Sequence, residues 1–197
     1  NLRCIVAKCS YGQKKKGVDL GAQIIYSHLK KKYSFPYDNT HTFIEPDEFK
    51  KKQNCKGYQK IYNEVQTKIK SNKLPLLLGG DHSVSLASVP AVCDIYQNDI
   101  SIVWVDAHAD INTPKTSSTG NLHGMPLASA LQIMDPIVTP QYQIKYDQLF
   151  YIGLRSVDEA EKQLLDKTNI TYFTYEDVKK NGIDKVYSII NKKTKHN

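Results

Sequence analysis

The stretch WVDAHADIN, residues 104–112, decides how the rest of the sequence is interpreted. It ends an apolar run, residues 100–105, that is typical of a short buried strand. Side chains two positions apart point the same way in an extended segment, so Asp106, His108 and Asp110 are expected to project together. Two carboxylates and an imidazole at a strand end predict half of a metal site. The plainer alternative is a polar loop whose acids solvate the strand terminus.

A second apolar run ends in a similar way, in LLLGGDHS at residues 76–83. The paired glycines allow the backbone to turn sharply and to approach a ligand closely, and His82 follows them. If both runs are parallel strands, their carboxyl ends lie along the edge where open α/β folds place their sites. We therefore expect His82 to meet the three polar side chains of the first motif across a crevice.

Length and patterning predict a globular α/β protein. A chain of 197 residues with 40% hydrophobic and 24% charged residues suits a single domain with a substantial core. Predicted strands alternate with predicted helices, which favours a mostly parallel sheet. The strands are expected at residues 2–7, 42–45, 74–78, 100–105, 149–153 and 170–173, and the helices at 20–32, 58–69, 84–96, 126–134, 158–167 and 183–190.

The net charge of +7 comes mostly from short lysine runs scattered along the chain, as at residues 14–16, 30–32, 50–52 and 192–195. Arginine, the better bidentate reader of phosphate, occurs only at positions 3 and 155, so no nucleic-acid partner is predicted. No apolar run approaches the roughly 20 residues of a membrane span, and no signal peptide is visible, so a cytoplasmic location and no membrane partner are expected. The cysteines lack C-x-x-C spacing and are interpreted as reduced thiols: Cys4, Cys9, Cys55 and Cys93.

Three motifs resemble signatures of the arginase branch of the ureohydrolase family, and they occur in the family's order. They are GGDHS at residues 79–83, DAHADINTP at 106–114 and STGNLHG at 118–124. YIGLR at 151–155 and the loop at 14–21 are also similar, so the resemblance covers nearly the whole chain. Related agmatinases share the metal motifs, but GNLHG and Asn112 look like arginases.

The resemblance implies a fold, a cofactor and a reaction. The fold would be a three-layer, open, mostly parallel sheet with helices on both faces. The cofactor would be two Mn²⁺ ions in each complete subunit, and a metal-bound hydroxide would attack the guanidinium carbon of L-arginine to give L-ornithine and urea. Family members form trimers or hexamers, so a homo-oligomer is expected.

The resemblance also carries roles to particular positions of this sequence. The metal ligands would be four residues, His82, Asp106, His108 and Asp110. The α-carboxylate of the substrate would meet Asn112, Ser118 and Thr119, the α-amino group would meet Asp158, and Glu161 would support the same end. His123 would transfer the proton that the leaving amine requires.

Two departures from the family pattern set further expectations. Thr119 stands where the family usually has serine, which keeps a hydroxyl but adds a methyl group. The family's later D-x-D-x-x-D-P strand has no counterpart here, so residues 1–197 are interpreted as one arginase-like domain that lacks the C-terminal portion of the fold. The missing strands lie inside the family's sheet, so a gap and exposed apolar faces are expected. Two alternatives stay open: a truncated, inactive form with a regulatory or subunit-binding role, and an agmatinase-type enzyme.

Overall fold

Six strands and seven α-helices alternate along the residues that the computed structural model describes, which are 2–15, 17–33, 41–49 and 56–194. The strands are β1 (Leu2–Ala7), β2 (Thr42–Ile44), β3 (Leu74–Gly79), β4 (Ile102–Val105), β5 (Leu149–Leu154) and β6 (Thr171–Thr174). The α-helices are α1 (Val18–Tyr33), α2 (Lys56–Lys70), α3 (Ser85–Tyr96), α4 (Pro126–Ala130), α5 (Glu159–Lys167), α6 (Tyr175–Asn181) and α7 (Ile183–Thr194). Short 3₁₀ helices occur at Pro46–Phe49, His82–Val84, Leu122–Gly124 and Tyr146–Gln148.

The described strands form two three-stranded sheets, with the orders β2-β1-β3 and β4-β5-β6. Every pairing is parallel; Ile5 pairs with Leu77 in the first sheet, and Trp104 pairs with Tyr151 in the second. This confirms the predicted parallel α/β class. The carboxyl ends of β3 and β4 meet at one site, because the His82 and Asp106 side chains that follow them are in contact.

Helices cover both faces of the first sheet. Along β1, Ile5 packs in a core cluster with Ile61 of α2, while its neighbour Val6 packs on the other side with Ala22 and Tyr26 of α1. Successive strand residues point to opposite faces, so the buried residues of β1 are apolar at every position from Cys4 to Ala7. A continuous apolar run is what a strand covered on both faces requires.

The second sheet is covered in the same way. Tyr151 of β5 shares a core cluster with Leu165 of α5, and the adjacent Phe150 packs with Val186 of α7. The three-layer arrangement with helices on both faces is therefore confirmed.

The two sheets leave an unpaired edge on β3 and another on β4. Among the described strands, none pairs with the second edge of either one. Apolar side chains near these edges are exposed: Leu74 is 65% exposed, Val103 46% and Val105 74%. The described strands thus leave apolar side chains exposed beside unpaired edges, as expected, while the missing strands themselves stay a prediction.

One expectation about the helices was wrong, and one helix was missed. The helix predicted to run to about residue 134 ends at Ala130, and Gln132 follows it with a positive φ of 53°, which an α-helix does not accommodate. Helix α6 was not predicted. Its signal is a capping box, in which the Thr174 hydroxyl accepts from the Asp177 N–H at 3.1 Å and the Asp177 carboxylate accepts from the Thr174 N–H at 2.9 Å.

The cysteine prediction agrees with the structure where it can be compared. Cys4, Cys9 and Cys93 are buried free thiols. Cys55, the whole lysine run at 50–52 and one lysine of each run at 14–16 and 192–195 lie outside the described residues. In the described part of the chain, none of the helices has both the length and the apolar content that crossing a membrane takes.

Candidate metal centre and substrate cavity

A cavity of about 380 Å³ opens where the chain leaves β3, β4 and β5. This volume lies within the usual range of small-molecule sites. All ten residues that the sequence singled out line the cavity, and Ser117, Asn121 and Gly124 line it as well. The ten are His82, Asp106, His108, Asp110, Asn112, Ser118, Thr119, His123, Asp158 and Glu161. The structure therefore brings the predicted site together, while the roles of its members stay predictions.

Three of the predicted metal ligands form a compact group. His82 Nδ1 lies 2.9 Å from Asp110 Oδ2 and 3.1 Å from Asp106 Oδ2. One potential ligand atom from each of the three side chains lies within 4.8 Å of the other two. Oxygen and imidazole donors suit a hard or borderline divalent cation better than a thiolate-seeking metal, and none of the three described cysteines lines the cavity. This donor set is compatible with the expected manganese, whose identity stays a prediction.

His108 lies beside this group rather than within it. Its side chain is 59% exposed, and its Nδ1 is 3.4 Å from Oδ1 of Asp106. The same Oδ1 accepts a hydrogen bond from the His108 N–H at 3.0 Å. His108 therefore contacts Oδ1 of Asp106, whereas His82 contacts Oδ2, so the outer side of Asp106 is its Oδ1 side. The role of His108 as a ligand stays a prediction.

The predicted ligands Asp106 and Asp110 come together through the shape of a loop, and not through the alternation of side chains in an extended strand. Strand β4 ends at Val105, and Asp110 has a positive φ of 53°, so residues 106–110 are not an extended segment with alternating faces. The loop is shaped by contacts with β5 and its exit. The Ala107 carbonyl accepts from the Arg155 N–H at 3.0 Å, and the Ala109 carbonyl accepts from the Tyr151 hydroxyl at 2.8 Å.

The indole ring of Trp104 packs against the imidazole ring of His82. The two rings are stacked, with centroids 4.4 Å apart and an angle of 17° between their planes. Burial lowers the pKa of His82, but the hydrogen bond and charge of Asp110 and the charge of Asp106 outweigh it and raise the pKa overall. Sequence reasoning assigned Trp104 no role in the site, although it stands two residues before Asp106.

The predicted substrate end is a chain of polar contacts. Asn112 Nδ2 donates to Asp158 Oδ2 at 2.8 Å, and the Thr116 hydroxyl donates to Asn112 Oδ1 at 2.9 Å. Thr116 thus orients the Asn112 amide so that its nitrogen faces Asp158. Sequence reasoning missed Thr116 and the cavity-lining Ser117; both lie in the hydroxyl-rich loop that leads to Thr119, and that richness was the available signal.

Glu161 is a buried part of the cavity wall. It is 4% exposed, its Oε1 accepts from the Ile111 N–H at 3.1 Å, and its Oε2 accepts from the Asp158 N–H at 3.1 Å. Burial raises the pKa of Glu161, only partly opposed by these two hydrogen bonds. The carboxylate therefore joins the metal-ligand loop to the start of α5, which agrees with a supporting role.

His123 is held in the 3₁₀ helix Leu122–Gly124, at the cavity wall. Its N–H donates to the Gly12 carbonyl at 3.1 Å, and the Gly124 carbonyl accepts from the Asn112 N–H at 3.2 Å. The loop after β1, which contains Gly12, thus contacts this wall.

A parallel α/β fold with a carboxylate–imidazole cluster at its strand ends defines a candidate metalloprotein of the open-sheet class. A family model described as "Arginase family" matches residues 4–197. The chain belongs to the arginase family.

Named relatives agree with this assignment. The chain is 34% identical over 206 residues to an arginase of Staphylococcus aureus (strain COL), a match that covers 92% of this chain and 66% of that protein. It is 34% identical over 194 residues to an arginase of Bacillus subtilis, covering 89% of this chain and 64% of the relative. The chain thus spans slightly less than two thirds of the length of these relatives.

Solved structures share the fold. Arginase from Bacillus cereus superposes with a TM-score of 0.86 at 28% identity, over 99% of this chain and 71% of that one. Entamoeba histolytica arginase in complex with L-ornithine superposes with a TM-score of 0.77 at 30% identity, over 98% and 70% of the two chains.

Proposed function

We propose that this protein is a manganese-dependent arginase that hydrolyses L-arginine to L-ornithine and urea. The observation that carries the proposal is the single cavity in which the cluster of His82, Asp106 and Asp110 lies beside the linked pair Asn112 and Asp158. Similarity to proteins named arginase, one of them solved with L-ornithine, supports the choice of substrate.

We propose that His82, Asp106 and Asp110 hold manganese, with His108 completing the set on the outer side of Asp106. Two ions in each complete subunit are proposed from the family resemblance. Manganese bound there would supply a water molecule with a pKa lowered toward neutrality and a positive charge that favours nucleophilic attack on the guanidinium. The carboxylates that line the cavity also attract the guanidinium cation itself.

The other end of the cavity would recognise an α-amino acid. Asn112 uses one amide hydrogen for Asp158 and keeps the other for the substrate carboxylate, to which the hydroxyls of Ser118 and Thr119 also donate. Asp158 accepts from the α-ammonium group. Because Asn112 and Asp158 are hydrogen-bonded to each other, the two charged groups of the amino acid are recognised at a fixed spacing. Agmatine lacks the carboxylate and would leave this end partly unsatisfied.

His123 would supply the proton that the leaving amine needs. Imidazole exchanges protons readily near neutral pH, and the ring lines the same cavity as the metal cluster. The backbone contact to Gly12 holds the segment that carries the ring.

The test is urea release from L-arginine and from agmatine by the protein purified from its natural source, with and without added manganese. We expect manganese-dependent urea release from L-arginine that exceeds release from agmatine. Asp110→Asn should abolish it, whereas Asp99→Asn, on an exposed residue, should not. Faster release from agmatine would move the assignment to an agmatinase-type enzyme, and activity that survives Asp110→Asn would refute the metal site.

We further propose that residues 1–197 form one domain, that the subunits assemble as trimers or hexamers, and that the protein works in the cytoplasm. The shared cavity between the two sheets supports the first point, and the family resemblance supports the second. The free thiols of the three described cysteines support a reducing compartment.

A further inference from the structure

Asp81 joins two loops and is absent from the lining of the candidate metal cavity. It is 8% exposed, and both carboxylate oxygens are occupied by backbone donors. Oδ1 accepts from the Ser83 N–H at 2.9 Å, and Oδ2 accepts from the Gly12 N–H at 2.9 Å. The side chain therefore connects the loop after β3, which carries His82, to the loop after β1.

The two loops are in close contact around this carboxylate. The Asp81 N–H donates to the Cys9 carbonyl at 2.9 Å. A Cβ at Gly12 would lie 2.4 Å from Ser83 Cβ, and a Cβ at Gly80 would lie 1.9 Å from the Cys9 carbonyl oxygen. Both glycines are needed because the backbones approach more closely than any side chain allows.

Gly12 also connects Asp81 to the opposite wall of the cavity. Gly12 is bound to Asp81 through its N–H, and its carbonyl accepts from the His123 N–H at 3.1 Å. One short path therefore runs from the residue beside His82, through Gly12, to the backbone of His123.

We propose that Asp81 is a positioning residue that sets His123 relative to the metal ligand His82. The catalytic meaning of this link rests on the proposed function, but the link itself is a feature of the fold. Asp81 is not itself a candidate ligand, because its oxygens already accept from two N–H groups and it lies outside the compact group of ligand atoms.

The two halves of the contact can be separated by substitution. Serine caps helix starts as well as aspartate does, so Asp81→Ser keeps an acceptor for the Ser83 N–H but is too short to reach Gly12. Ser83 is also held by the Tyr58 hydroxyl, 2.7 Å from its Oγ, so the loop that carries His82 stays in place. Asp81→Asn tests the same link differently, because one carboxylate oxygen becomes a donor that faces an N–H.

The experiment measures amide hydrogen exchange by NMR in the full-length protein after its metal has been removed. In Asp81→Ser, the Gly12 amide should exchange roughly ten- to a hundredfold faster than in the wild type, the factor for one lost hydrogen bond to a charged acceptor. The His123 amide, which donates to the Gly12 carbonyl, should also exchange faster. Asp81→Asn should give the same local change, which keeps the test decisive if one variant does not fold. Unchanged exchange at His123 in a folded variant would overturn the proposal.

Asp94→Asn is the matched control. Its carboxylate also joins two segments, through the Tyr62 hydroxyl and, at 2.7 Å, the Tyr142 N–H, and it does not line the cavity. At equal global stability, adjusted with denaturant, this variant should leave the exchange at His123 unchanged. Acceleration equal to that in Asp81→Ser would mean that the effect is general loosening, and the positioning role would be wrong.

Manganese added to the same samples separates this proposal from the proposed function. In the wild type, bound Mn²⁺ should broaden the amide signals near His82 and His123, which line the same cavity. No broadening near His82 in the wild type would count against the metal site, while the exchange data would still decide the role of Asp81.

Discussion

Tyr151 offers a direct test of how the metal-ligand loop is held. The residue is fully buried in β5, and its hydroxyl donates to the carbonyl of Ala109, which is also fully buried. Burial raises the pKa of Tyr151 well above its ordinary value, so the hydroxyl stays a donor. Ala109 lies between Asp106 and Asp110, so this bond ties the loop to the sheet. Tyr151→Phe removes the hydroxyl and keeps the ring.

The expected cost follows from the group that is left without a partner. A buried carbonyl that loses its donor costs about 1–3 kcal/mol of stability. For a chain of this length, about 2–4 °C of Tm corresponds to each kcal/mol, so the Tm should fall by about 2–12 °C. The affinity for Mn²⁺ should fall by about tenfold, as is usual when a supporting contact behind a metal ligand is removed. Thermal unfolding measures the Tm, and Mn²⁺ titration by electron paramagnetic resonance measures the affinity.

Tyr172→Phe on the neighbouring strand β6 is the control, because Tyr172 is 39% exposed. It should change stability by less than about 0.5 kcal/mol and leave Mn²⁺ affinity unchanged. If Tyr151→Phe had no larger effect than Tyr172→Phe, the hydroxyl would not hold the loop, and the account of how the ligands are positioned would be wrong.

Three other substitutions test contacts elsewhere in the chain. Thr116→Val should shift the NMR signals of the Asn112 side-chain amide, whereas Thr116→Ser, which keeps the hydroxyl, should preserve them. Burial raises the pKa of Glu64, but the Lys68 ammonium at 2.7 Å, with the other hydrogen bonds, lowers it overall. This carboxylate therefore stabilises the fold fully above the pKa of an unfolded glutamate, and the contribution is lost as the pH falls through the lower folded pKa. Glu64→Gln should accordingly flatten the acid side of the stability profile in urea denaturation. Gly57→Ala should lower the free energy of unfolding by about 1–3 kcal/mol, because the added Cβ would lie 2.6 Å from the ring of Phe49. The control is Gly21→Ala in α1, where a Cβ meets open space, and this change should instead stabilise the fold by about 0.5–1 kcal/mol in thermal unfolding.

Each of these has an outcome that contradicts it. Identical Asn112 signals in the Thr116→Val and Thr116→Ser variants would mean that the hydroxyl does not orient the amide. If Glu64→Gln left the fall of stability at acid pH unchanged, the contact with Lys68 would contribute nothing to folding. Glu159→Gln, on the surface of α5, is the control. A fully stable Gly57→Ala would show that the ring moves aside without cost.

Local patterns were enough to predict most of the fold. The apolar run of β1 and the alternation of strand and helix predicted a parallel α/β protein, and the structure confirms it. The motifs at the ends of β3 and β4 placed His82 near Asp106 and Asp110, because parallel strands end at the same edge. These features depend on the side-chain period within a strand and on the direction of the chain, both of which short segments of sequence contain.

The tertiary structure decided the shape of the site. The predicted alternation of faces over residues 106–110 was wrong, because Asp110 adopts a positive φ in a loop held by Tyr151 and Arg155. Asp81 and Gly12, which are in contact, are separated by 69 positions in the sequence, and Glu161 and Ile111 are separated by 50. Such pairs leave no periodic pattern in the sequence, because their hydrogen bonds form only after the strands have aligned and the loops have packed together. The sequence by itself therefore determined which groups the site contains and at which edge, and only the packed fold determined how those groups are held.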